Sequence, residues 1–165
     1  DPATGSLKIN PPGRVADELN RLFPMDAQIG LYFTMAYGVL DVETLEFRYV
    51  SAGHVPAIHH PRGGKPVMLP GTGFPVGIVD ETEYEEHSVK LQPGDRLCLY
   101  SDGVPEAMSE KLDQFGEERM FAVFGRDESN TLDATVDDLF SAVGKWCEPK
   151  GPKDDVSILC CEILN

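Results

Sequence analysis

The sequence predicts an α+β fold built on antiparallel strands, with helices covering a sheet or a pair of sheets. Three observations lead there. A short helical period opens the chain. A series of β-rich runs joined by turn signals follows, and two helical stretches and a last apolar run complete the order.

Residues 1–12 form an irregular lead-in, rich in Pro and Gly, or the edge of a cut; residues 13–165 are expected to form one domain. Val15, Leu19, Leu22 and Phe23 are spaced as one face of an amphipathic helix that Pro24 would stop. Asp17 and Glu18 are expected in its first turn, where they suit the helix dipole. Leu31 to Leu40 and Leu45 to Ser51 are rich in aromatic and β-branched residues, and Asp41 to Thr44 reads as the hairpin turn between them. Pro56 to His60 and Lys65 to Leu69 flank Arg62-Gly63-Gly64, a second hairpin signal. Tyr84 to Leu91 reads as a strand. Gln92-Pro93-Gly94-Asp95 then has the Pro and Gly positions of a type II turn, leading into the strand Arg96 to Ser101. Glu117 to Phe124 is a short helix. Thr131 to Cys147 is a longer one, with Leu132, Val136, Leu139, Phe140, Val143 and Cys147 on its apolar face and Asn130 or Thr131 as N-cap. Val156 to Leu164 is the last strand.

The chain has 165 residues, with 28 Asp+Glu against 14 Lys+Arg, for a net charge of −14. Its 41% hydrophobic and 25% charged residues describe a folded chain rather than a disordered one. That charge disfavours phosphate backbones and anionic lipid, and the bases are spread along the chain, which argues against a local basic patch. No apolar run approaches the roughly 18–20 residues of a membrane span, and the first residues do not read as a leader. A cytoplasmic protein binding neither nucleic acid nor membrane is expected. The four cysteines, Cys98, Cys147, Cys160 and Cys161, include no C-x-x-C pair and read as buried free thiols in a reducing compartment.

The chemistry is sought at two strand ends. Ser101-Asp102-Gly103 directly follows one strand, and Lys153-Asp154-Asp155 directly precedes another. A carboxylate at a strand tip beside a glycine is placed to bind a hard divalent cation. If the two strands run antiparallel, Asp102 and Asp154 converge on one site. The competing reading is a pair of turn aspartates accepting backbone N–H groups. His59 and His60 alternate along a strand, so they do not serve one metal and read as ordinary surface or hairpin residues. His54, after Ser51-Ala52-Gly53, reads as a loop histidine bonded to backbone, with acid–base chemistry as the alternative. No nucleophile elbow, phosphate-binding glycine loop, H-E-x-x-H or dinucleotide fingerprint is present.

Several segments in order, over roughly residues 12–163, resemble the metal-dependent serine/threonine protein phosphatase (PPM) superfamily. The branch is the bacterial one of stage II sporulation protein E and the sigma-B regulator phosphatases. They are Leu19 to Leu22, Met35 to Asp41, Tyr49 to Pro56, Phe74 to Ile78, Leu91 to Leu97, Leu99 to Ala107, Phe115 to Arg119 and Asp154 to Leu159.

The resemblance implies an antiparallel β-sandwich flanked by helices, with two Mn²⁺ or Mg²⁺ ions at one end. It implies Asp102 and Asp154 as metal ligands, Asp155 as an assisting residue and Gly103 beside them. Relatives elsewhere in the superfamily carry Asp where this chain has His54, so a third metal is not expected. The family also carries an Asp-x-x-Gly-His-Gly segment and a long helix ahead of the first helix here. Neither is present, so the chain is read as an N-terminally truncated piece of a phosphatase domain or as a natural degenerate member. The implied reaction is hydrolysis of phosphoserine or phosphothreonine by metal-activated water, on a phosphoprotein such as an anti-sigma-factor antagonist. An upstream sensor or receiver module is implied as the input, and a homodimer is compatible with it. The alternative is a noncatalytic phosphatase-like module that binds a signalling partner.

Overall fold

The computed structural model describes residues 9–24, 30–125 and 131–164. They form three helices and seven strands, grouped in two compact units.

The first unit holds helix α1 (Pro12–Leu22) and a three-stranded antiparallel sheet of β1 (Met35–Asp41), β2 (Glu46–Ala52) and β5 (His87–Lys90), in the order β1-β2-β5. The expected β1–β2 hairpin is present, with Met35 opposite Ala52 and Asp41 opposite Glu46. Asp41 makes its turn: Oδ1 accepts the N–H groups of Glu43 at 3.0 Å and Thr44 at 2.9 Å.

Helix α1 departs from the expected pattern. Proline at its start moves it forward, because fixed φ and a missing N–H suit the first helical turn. Asp17 and Glu18 therefore lie beyond the first turn. The buried residues are Pro12, Gly13, Ala16 and Asn20, whereas Leu22 is 64% exposed. Ala16 packs with Val50, Ala52, Val76 and Tyr84. Asn20 is buried with its amide hydrogen-bonded at both ends. Nδ2 donates to the Val79 carbonyl, and Oδ1 accepts from the Gly77 N–H, each at 2.8 Å.

The second unit holds a four-stranded antiparallel sheet, β4-β3-β6-β7, made of β3 (Ile58–His60), β4 (Val67–Met68), β6 (Arg96–Tyr100) and β7 (Ile158–Glu162). Helices α2 (Gly116–Phe124) and α3 (Leu132–Trp146) belong to it. Ile58, Cys98, Tyr100, Val104, Met120, Leu139 and Val143 share one buried core. Thr131 is the N-cap of α3, its side chain accepting from the Ala134 N–H at 3.2 Å; the other expected cap, Asn130, lies outside the described residues. The α3 stripe centres on Leu139 and takes in Thr135, so Phe140, about 100° round the helix from Leu139, is exposed.

Two expectations are corrected here. The cysteines are not all free: Cys98 and Cys160 form a disulfide, while Cys147 stays buried and Cys161 exposed as thiols. The reason is register. Cys98 and Cys160 are directly opposed on β6 and β7, and Cys161 points to the other face. The histidines of β3 do lie in a hairpin, with His59 opposite Val67 of β4, but they are not at the surface. His60 is 5% exposed and meets the Gly64 carbonyl through Nε2 at 3.2 Å. His59 Nε2 lies 2.9 Å from Asp95 Oδ2.

Asp95 ties two turns together. Its carboxylate accepts the Arg62 N–H at 2.9 Å and the Gln92 N–H at 3.0 Å, besides His59. The second of these lies in the expected Gln92–Asp95 turn, where Gly94 has φ +90° and Asp95 N–H donates to the Gln92 carbonyl at 2.9 Å.

Two outcomes follow from this packing. Alkylation of the denatured, unreduced chain should label Cys147 and Cys161 only, and reduction should expose Cys98 and Cys160 as well. Mass spectrometry reads both. Burial alone would raise the Asp95 carboxyl's pKa, but the Arg62 and Gln92 N–H groups and His59 outweigh it and hold it below its usual value. A depressed folded value gives stability that is complete above the unfolded pKa of about 3.9 and is lost as pH falls through the folded value. Asp95→Asn should therefore cost about 1.5–3 kcal/mol at neutral pH. In urea denaturation the gap between variant and parent should shrink in acid.

Candidate metal centre

The strand pairing decides where the predicted acidic residues meet. β6 and β7 run antiparallel, with Arg96 opposite Glu162 and Tyr100 opposite Ile158. The segment leaving β6 and the segment entering β7 therefore lie at one sheet edge. These are Ser101-Asp102-Gly103 and Asp154-Asp155-Val156-Ser157.

Ser101 fastens the two segments. Its N–H donates to the Ser157 carbonyl at 3.0 Å, extending the ladder by one bond. Its hydroxyl donates to the Asp155 carbonyl at 2.8 Å and accepts the Ser157 N–H at 3.0 Å. Gly103 is buried directly against this clasp: a Cβ at that position would collide with the Asp155 carbonyl oxygen. Val104, fully buried in the core, holds the next residue of the turn. The Val104 N–H donates to the Ser101 carbonyl at 3.1 Å, and the Glu106 N–H to the Asp102 carbonyl at 2.9 Å.

On this rigid backbone Asp102, Asp154 and Asp155 are all solvent-exposed. Asp154 Oδ1 accepts the Asp155 N–H at 2.8 Å, which orients that carboxylate. The main chains carrying Asp102, Gly103, Asp154 and Asp155 are thus brought to one place. Carboxylate oxygens there have the hardness that Mn²⁺ and Mg²⁺ favour. Among the described residues no group of three or more His, Cys, Asp or Glu is close enough to hold a metal ion. The carboxylates match a divalent cation in the kind of donor, while the described residues do not assemble a complete set of ligands.

His54 belongs to the first unit and is described there. Its main-chain carbonyl accepts the Ser51 hydroxyl at 2.9 Å. The residue that sequence reasoning missed is Ser101. A serine ahead of Asp-Gly and a second serine two residues after Asp155 were the available signal, but hydroxyls pair with so many groups that spacing alone does not select this one.

Loss of the hydroxyl tests the clasp. Ser101→Ala should cost about 1–2 kcal/mol and speed amide exchange at Ser157, while Ser101→Thr should keep both near the parent. Gly103→Ala should cost more than Ser101→Ala, because the Asp155 carbonyl must move.

Comparison with known proteins places the chain in a family. The stage II sporulation protein E (SpoIIE) family profile matches residues 4–164. The phosphoserine phosphatase RsbU of Bacillus subtilis is 30% identical over 100 residues, which is 60% of this chain and 30% of RsbU. The chain therefore spans less than a third of that relative. The SiaA-PP2C domain of Pseudomonas aeruginosa has a similar fold, with a TM-score of 0.76 and 20% identity over 98% of this chain and 63% of that one. The phosphatase domain of B. subtilis SpoIIE, from a Mn-presoaked structure, has a TM-score of 0.67 and 18% identity over 99% of this chain and 76% of that one. The predicted α+β class with antiparallel sheets and helices is thus the fold of PP2C phosphatase domains. With a family profile covering nearly its whole length, the chain belongs to the SpoIIE family.

Proposed function

We propose that this chain is the metal-binding part of a Mn²⁺- or Mg²⁺-dependent protein phosphatase. Its substrates would be phosphoserine or phosphothreonine on a bacterial signalling protein of the anti-sigma-factor antagonist type. The observation that carries the reading is the convergence of the Asp102 and Asp154 segments at one clasped sheet edge. Family membership and the phosphoserine phosphatase activity in the name of RsbU support it.

In this reading Asp102 and Asp154 would hold the cations through carboxylate oxygens. Asp155 would add negative charge beside them, and Gly103 would keep the main chain close. When bound, such a cation lowers the pKa of a coordinated water and neutralises charge on phosphoryl oxygens. The chain's own contribution is to fix the carboxylates on hydrogen-bonded backbone, so that little reorganisation is needed. A surface of net charge −14 repels a phosphoprotein, and the carboxylate edge is where captured cations would reverse the local field. A sensor or receiver module in the same polypeptide would supply the input. A second reading, a noncatalytic module that docks a signalling partner, is favoured by the lack of a three-residue metal cluster among the described residues.

The test uses the protein that carries this chain. Hydrolysis of a phosphoserine peptide should require Mn²⁺ or Mg²⁺ and stop on chelation. Asp102→Asn or Asp154→Asn should each reduce it by at least about 100-fold, in line with the loss of a group that stabilises the transition state. Unchanged hydrolysis in both variants rejects the metal assignment. Partner binding without hydrolysis in the parent protein selects the docking module.

A further inference from the structure

At the other end of the β6–β7 ladder the structure holds a cavity of about 260 Å³, lined among others by His60, Arg62, Gly94, Arg96 and Glu162. Its charge runs against the composition of the chain. Two guanidinium groups face one carboxylate, in a protein with 28 acidic and 14 basic residues.

The two arginines are held differently. Arg96 is 9% exposed and built into the wall. Its Nε donates to Glu162 Oε2 at 2.8 Å and its Nη1 to Thr135 Oγ1 at 3.2 Å. Arg62 is exposed and makes no ion pair among the described residues. Its position is nevertheless set in advance. Its main-chain N–H is bound by Asp95 Oδ1 at 2.9 Å, and its methylenes lie over Gly94, where any Cβ would collide with Arg62 Cδ. His60 completes this wall, anchored through Nε2 to the Gly64 carbonyl. Among the lining side chains this leaves the Arg62 guanidinium beside an Arg–Glu pair, while the nearby Asp95 carboxylate is taken up by the Arg62 and Gln92 N–H groups and His59.

We propose that this cavity binds a small oxyanion, the group that phosphate esters and carboxylates share, with Arg62 as its principal ligand. The planar guanidinium donates two parallel N–H bonds to such a group, which an ammonium cannot do. Arg96 stays tied to Glu162 and Thr135 and forms the wall. The cavity lies where Arg96 faces Glu162, and the acidic edge lies beyond Tyr100 and Ile158. The two sites are separate, and binding at the cavity needs no metal.

The experiment is a titration of the ¹⁵N-labelled chain at constant ionic strength without divalent metal. Its arms are inorganic phosphate, acetate and sodium chloride, followed by two-dimensional NMR. Saturable shifts at Arg62, Gly63 and Gly94 are expected. A response to phosphate alone identifies a phosphoryl site, to acetate alone a carboxylate site, and to both a general oxyanion site. Arg62→Gln should weaken binding by about tenfold or more, and Arg62→Lys by less, because it keeps charge and loses the fork. Lys111→Gln should leave the affinity unchanged. The proposal is overturned by the absence of saturable shifts, by an equal response to chloride, or by equal affinity in Arg62→Gln with the remaining spectrum intact. Because no metal is present, none of these outcomes depends on the phosphatase reading.

Discussion

The antiparallel pairing of β6 with β7 is the constraint on which the candidate chemistry depends. Asp102 and Asp154 are more than fifty residues apart in sequence, and only this ladder brings their segments to one edge. Side chains alternate with a period of two, so a slip of one residue would turn the inward face of β7 outward. Three features resist such a slip. The Cys98–Cys160 disulfide joins directly opposed residues. The Ser101 hydroxyl ties the end of β6 to the turn that enters β7. The absence of a side chain at Gly103 lets the Asp155 carbonyl approach. Without the ladder the two acidic segments would not lie side by side.

The two ends of this strand pair carry different side chains. The segments of Asp102, Asp154 and Asp155 share one edge, whereas Arg62 and Arg96 line the cavity beside Gly94 at the other. Mean composition hides this arrangement, because net charge sums over the chain and not over a surface. A strongly acidic chain can therefore carry a local site for an anion and, at another place, a site for cations.

Buried polar residues organise the rest of both units. Asn20 in the first unit and Asp95 in the second each satisfy a main-chain N–H group of a segment distant in sequence. A buried donor left unsatisfied costs more than an ordinary hydrogen bond gains, so such a residue specifies loop positions strongly. In the first unit this explains why a helix with apolar Leu22 and Phe23 buries a face of Gly13, Ala16 and Asn20 instead. Small residues and one amide fit the space that larger side chains would overfill.

Much of the architecture was legible in the linear order of residues. Hydrophobic period and turn chemistry are local properties, so the helix, the hairpin around Asp41, the Gln92–Asp95 turn, the two later helices and the last strand could be read directly. The pairing of the strands next to Asp102 and Asp154 was legible as a condition, and the motif resemblance pointed to the SpoIIE family. What stayed hidden depends on which residues end up opposite one another. The buried face of α1, the Cys98–Cys160 bond, the burial of His60, the Ser101 clasp and the cavity at Arg62 all arise from such encounters. A sequence states what each residue can bond to, but hydroxyls, thiols, amides and guanidiniums have many potential partners. Only the folded chain removes the competing ones, by bringing one within about 3 Å and excluding water from the rest.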